Sequence, residues 1–89
     1  MQNTTLELVK LNLSIAGNGW DTYLEHLIRA AKAAIAEEGI DLDGSDGDRN
    51  IIVMYASYLF RKRAEDAAPM PRMLRYALNN RLMAQKGES

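Results

Sequence analysis

The sequence predicts an all-α fold: a small bundle of about four helices, the last entered through a Pro-x-Pro break. Three observations carry this prediction. Apolar residues recur at three- and four-residue spacing in four stretches, near 5–13, 20–38, 48–65 and 71–85. Segments rich in glycine, aspartate or proline separate these stretches. No run alternates apolar and polar residues as a strand would, and no internal repeat is present. With 89 residues, the chain suits a single domain over 1–89. A domain of this size buries about 60–65% of its unfolded surface, and small domains of this kind often gain stability from a partner or from copies of themselves.

The first helix is expected to start at Thr4, because "TTLE" places a threonine cap three residues before Glu7. Leu6, Val9 and Leu13 share one face, which Leu8 and Leu11 broaden. "SIAGNG" then ends the helix, and Asn18 is placed to cap the next one. In the second stretch, Trp20, Tyr23, Leu24, Leu27, Ile28, Ala31, Ala34 and Ile35 follow the helical period. Asp21 falls in its first turn, where the helix dipole favours an acid, and Gly39 stops it. The alanines from Ala30 to Ala36 allow another helix to approach closely.

"IDLDGSDGD" reads as a loop, with Asp46 or Asp48 as the cap of the third helix. That helix carries Ile51, Ile52, Met54, Tyr55, Tyr58 and Leu59 around much of its circumference, so it is expected at the centre. Arg61, Lys62 and Arg63 close it, where cations suit the dipole. Pro69 and Pro71 disfavour helical geometry at the residues before them, and Pro71 fits the first position of a fourth helix. Met70, Met73, Leu74, Ala77, Leu78 and Leu82 form its apolar stripe, with Arg72, Arg75 and Arg81 projecting largely away. The final "KGES" is expected to fray.

Charge is unevenly distributed. Residues 1–48 hold three basic against nine acidic residues, a net of −6. Residues 49–89 hold eight basic against three acidic, a net of +5. Such a molecule presents a directional surface, able to set its basic side against a copy's acidic side or against nucleic acid. There is no cysteine, which removes disulfides and thiolate metal sites from consideration. No signal peptide is expected, since the first residues lack a basic segment followed by an apolar core. Asp21, Glu25, Arg29 and Lys32 interrupt the longest candidate helix, so no bilayer span and no membrane partner are expected.

Residues with catalytic or ligand chemistry do not assemble into a site. His26 is the one histidine, reads as an ordinary surface or boundary residue, and has no partner at a recognisable spacing. The loop "DLDGSDGDRNI" invites a calcium reading. Starting the calcium-loop template at Asp41 puts Asp46 in the glycine position and Ile52 in the bidentate glutamate position. Starting it at Asp43 puts Met54 in the glutamate position, so a helix-capping loop is the better reading. Ser14, Ser45, Ser57 and Ser89 lack an adjacent base, and "GNG" and "DGSDGD" lack the lysine of a phosphate loop. No catalytic residue, cofactor or metal is expected. Of the methionines, Met54 and Met73 read as core filler and Met70 as an edge residue. The arginines carry the most functional information. Arg72 and Arg75 lie three apart on one helix surface, either as a solvated face or as an interface.

The order of elements resembles a known family. "LELVKLNL" leads through a short polar loop into "WDTYLEHLIRAAKAAIAEE", then "IIVMYASYLFRKRAE", and last the proline-initiated "MPRMLRYALNNRL". This succession, from about Leu6 to Leu82, is similar to the head–tail connector, or adaptor, proteins of tailed bacteriophages and prophages, also described as DNA-packaging proteins. The segment "GIDLDGSDGD" and the short loop before the final prolines differ from that family's pattern. The resemblance implies a non-enzymatic virion component in the head–tail neck, assembled in the bacterial host cytoplasm. It implies a homo-oligomeric ring beneath the phage portal protein, extending the channel for non-specific DNA passage and offering a platform to the next neck or tail-completion protein. On that reading Arg61, Arg63, Met70, Arg72, Arg75 and Arg81 face a neighbouring subunit, the portal or the channel, and the last helix leaves the body at Pro69–Pro71 to do so.

Two other readings stand beside it. One is a small helical DNA-binding regulator using the basic C-terminal half, although "AEDAAPMP" is long and acidic for a helix-turn-helix turn. The other is a helical interaction module of the antitoxin kind.

Overall fold

The structure, a computed structural model, describes residues 4–63 and 69–87. It is all-α, with four helices in chain order: α1 (Thr4–Leu13), α2 (Asp21–Glu37), α3 (Asp46–Lys62) and α4 (Arg72–Gly87). As its apolar circumference predicts, α3 is the central element and packs against each of the other three. The core runs through all four helices: Leu6 and Val9 from α1, Leu24, Leu27, Ile28, Ala31 and Ile35 from α2, Ile51, Ile52, Val53 and Ala56 from α3, and Leu74 and Leu78 from α4. Ile40 joins it from the α2–α3 loop.

α1 ends in a Schellman motif. The Ile15 N–H bonds the Lys10 carbonyl at 2.9 Å, and the Ser14 N–H bonds the Leu11 carbonyl at 3.2 Å. Ser14 therefore sits at φ +60°, a left-handed position usually given to glycine. α2 ends more conventionally, with Gly39 at φ +97° and its N–H on the Ala36 carbonyl at 3.0 Å.

Several local expectations are corrected. Thr4 is the first helical residue, so the cap position preceding it lies outside the described residues. Trp20, not Asn18, occupies the N-cap of α2 and makes no side-chain cap bond. Asn18 contributes only its backbone carbonyl, which accepts from the Asp21 N–H at 3.3 Å. The cap of α3 is Ser45, whose Oγ accepts from the Asp48 N–H at 3.2 Å, which leaves the Asp48 carboxylate for another role. Leu8 and Leu11 are exposed, Leu11 by 76%, because α1 touches the body along the line of Leu6, Val9 and Leu13. Met73 is likewise 68% exposed and is not core filler, whereas Met54 and Met70 are half-buried against the core. Of the expected end of α3, residues 64 and 65 lie outside the described residues, as does 68 before the first proline.

The largest correction concerns α4. Pro69, Met70 and Pro71 precede it in non-helical geometry, and the Pro71 carbonyl accepts from the Arg75 N–H at 3.1 Å. The helix does not then leave the body. It folds back along α3 and buries Leu74 and Leu78 completely. Each such leucine contributes about 1.5–3 kcal/mol of burial, so α4 is held to its own chain by its inner face.

Candidate functional site

The α2–α3 loop and the end of α4 form a closed electrostatic clasp. Asp48, in the first turn of α3, is 2% exposed. Its Oδ1 accepts from Arg81 Nε at 2.7 Å, and its Oδ2 from Arg81 Nη2 at 3.3 Å and from the Asp43 N–H at 2.9 Å. Arg81 Nη2 also donates to the Asp41 carbonyl at 2.6 Å. One turn on, Gln85 donates to the Gly39 carbonyl at 2.7 Å and accepts from the Asp41 N–H at 2.6 Å. A bidentate guanidinium–carboxylate pair satisfies the buried Asp48 carboxylate, and the flanking bonds tie the exposed backbone of the loop to α4.

Asp43 completes the turn. Its Oδ1 accepts from the Ser45 N–H at 2.9 Å. Hydrogen bonds from the Ser45 backbone N–H and hydroxyl, with the Arg81 charge close by, hold its carboxyl down to about 2 from an ordinary 3.8. The carboxylates of Asp43 and Asp48 are thus engaged by protein partners. Among the described residues no group of three or more His, Cys, Asp or Glu side chains is placed to hold a metal ion.

The six residues predicted to face a partner divide into three kinds. Arg81 is corrected outright: it points into the clasp with its side chain 19% exposed, because Asp48 lies buried directly beneath it. Arg75 and Met70 are committed in part. Arg75 bridges to Glu38 of α2 at 3.1 Å, beside Tyr55, whose phenol burial and the Glu38 charge push upward in pKa. Met70 is half-buried against the core. Arg61, Arg63 and Arg72 are exposed around the junction of α3 and α4. Arg61 Nη2 donates to Asn12 Oδ1 at 3.3 Å. Arg63 lies over the rings of Trp20 and Phe60, 4.8 and 4.5 Å from their centroids. Arg61 shares a crevice with Pro71, so the basic end of α3 and the start of α4 are side by side.

His26 is exposed and stacks beside Tyr23, with centroids 6.5 Å apart. Sequence reasoning missed Gln85 and the buried role of Asp48. It also missed the outer face of α4. Met73, Tyr76 and Met83 are 68%, 55% and 68% exposed, and with Asn80 they form a stripe at three- and four-residue spacing, opposite Leu74 and Leu78. The spacing of Met73, Tyr76 and Met83 is present in the sequence, but the inward stripe of Leu74 and Leu78 already accounts for a helix, and spacing alone does not mark the second stripe as exposed.

Among the described residues no helix is long and apolar enough to cross a membrane. No family model matches the chain, and comparison with curated proteins and with solved structures finds no match either.

Proposed function

We propose that the protein is a structural assembly component, a head–tail connector of a tailed phage or prophage, forming a ring under the portal that extends the DNA channel and joins capsid to tail. The observation that carries this reading is the double-sided character of α4. Its inner face closes the monomer, and its outer face leaves Met73, Tyr76 and Met83 in solvent. α1 supplies a second, unlike patch in Leu8 and Leu11. Two different apolar patches are what a heterologous, head-to-tail contact needs, and such contacts form a ring where the rotation between subunits closes. The acidic first half and basic second half give the same contact a favourable electrostatic sense. The role is mechanical and needs no catalytic group.

The partner-facing set is accordingly Met73, Tyr76 and Met83 with Arg72, rather than Arg81. Light scattering of the protein alone, and mixed with a cognate portal protein, tests the reading. Assembly in either condition, lost in a Tyr76→Asp, Met83→Asp variant, is expected. A chain that remains solitary in both conditions overturns it.

One observation favours the DNA-binding alternative. Arg61, Lys62, Arg63 and Arg72 gather at one end of the molecule, next to the Trp20–Phe60 ring pair. A duplex gel shift separates the readings: a regulator binds with sequence preference and steep salt dependence, whereas a connector shows neither.

A further inference from the structure

A cavity of about 160 Å³ opens where α3, the last turn of α1 and the start of α4 meet. The described residues that line it are Asn12, Met54, Ser57, Arg61, Pro71 and Leu74. Met54, Ser57 and Arg61 follow one another along a single face of α3. Ser57 is 1% exposed, and its Oγ has no hydrogen-bond partner among the described residues. Buried hydroxyls are ordinarily bonded, on a helix most simply to the carbonyl four residues back, but here neither the Val53 carbonyl nor any other described group accepts from Ser57.

Two further features of the cavity point to the same kind of ligand. Arg61 brings a full positive charge, and its bond to Asn12 at 3.3 Å employs one of the five guanidinium N–H donors. α4 begins at the cavity wall with its first-turn N–H groups, no acidic residue in that turn, and a proline at the cap that has no side-chain acceptor. Arg61 also stands near the C-terminal end of α1, where a cation is favourable, but that role leaves the Ser57 hydroxyl unexplained.

We propose that this cavity is a binding site for a small carboxylate. One oxygen would accept from the Ser57 hydroxyl and the α4 N-terminus, the other from Arg61, with Met54 and Leu74 against the carbon end. A single guanidinium among neutral donors and apolar walls suits a monoanion better than a phosphate dianion. The volume is about that of five liquid water molecules, room for an acetate-sized group. The inference does not depend on the ring reading.

The test is an amide ¹H–¹⁵N titration of the intact chain at constant ionic strength, following Arg72, Met73, Leu74 and the Arg61 Nε. Acetate probes a free carboxylate, acetyl-aspartyl-amide a protein side chain, and phosphate and chloride serve as controls. Saturable shifts with one or both carboxylates in the millimolar range are expected, at least tenfold weaker in Arg61→Gln and several-fold weaker in Ser57→Ala. Ser57→Ala removes only the unpaired hydroxyl, so it reports on the site even if Arg61→Gln unfolds. Saturation by acetate alone places the ligand among free metabolites; saturation by both admits an acidic side chain from another chain. Shifts with phosphate alone, or carboxylate shifts no different from those in chloride up to about 100 mM, overturn the proposal.

Discussion

Replacing Arg81 by methionine should destabilise the protein far more than a surface arginine would. The change keeps most of the side-chain volume and removes the charge. Asp48 would then retain one described donor, the Asp43 N–H at 2.9 Å, while remaining 2% exposed. Breaking a buried ion pair by removing one partner costs about 3–5 kcal/mol. Water can reach this pair from the arginine side, where the side chain is 19% exposed, so we expect about 2–3 kcal/mol. A domain of 89 residues has a total stability of about 4–13 kcal/mol, so the loss is a large fraction of it. It corresponds to a fall in Tm of about 10–20 °C. Urea unfolding followed by circular dichroism at 222 nm measures it directly. A companion Asp48→Leu, Arg81→Met double variant should recover part of the loss, with a coupling energy of about 1.5 kcal/mol or more, because an apolar pair leaves no buried charge unpaired. A cost below about 0.5 kcal/mol for Arg81→Met, or strict additivity in the cycle, would show that Arg81 is an ordinary surface arginine and refute the reasoning.

Other outcomes follow from the same geometry. Ser14→Gly should stabilise the protein by about 1 kcal/mol in thermal melts, because Ser14 occupies a left-handed position at φ +60° in the Schellman turn; a destabilised variant would show that its side chain does something else. Leu74→Ala should cost about 2–5 kcal/mol, as expected for a fully buried leucine, whereas Met73→Ala one residue earlier should cost under about 0.5 kcal/mol; equal costs would mean that α4 is rotated from the described orientation. Asp43 is charged in the folded loop with its pKa lowered to about 2, so its contribution to stability is complete above 3.8 and disappears as pH falls toward 2. A carboxyl ¹³C titration checks this, and a midpoint near the ordinary value would remove the Ser45–Asp43 turn from the account of the loop.

Period and punctuation made most of the architecture legible. Helix count, helix type and the centrality of α3 follow from where apolar residues recur at helical spacing and where Gly17, Gly39, Gly44 and the two prolines interrupt them. What failed was choosing among near-equivalent neighbours. Ser45, Asp46 and Asp48 are all good caps by residue type, and only the path of the loop decides that Ser45 caps while Asp48 turns inward. Arg81 looked like its neighbours Arg72 and Arg75 because a helical period assigns a face without revealing what lies opposite it.

The chain's own residues were thus sufficient to specify four helices and a core stripe on each, since those are local consequences of backbone geometry and apolar spacing. Whether α4 reaches outward or folds back was a long-range matter. It was decided by a buried aspartate 33 residues earlier in the chain that an arginine could reach, and by two leucines with space to fill against α3. Pairings at that separation depend on how the loop closes, which spacing along one helix does not encode.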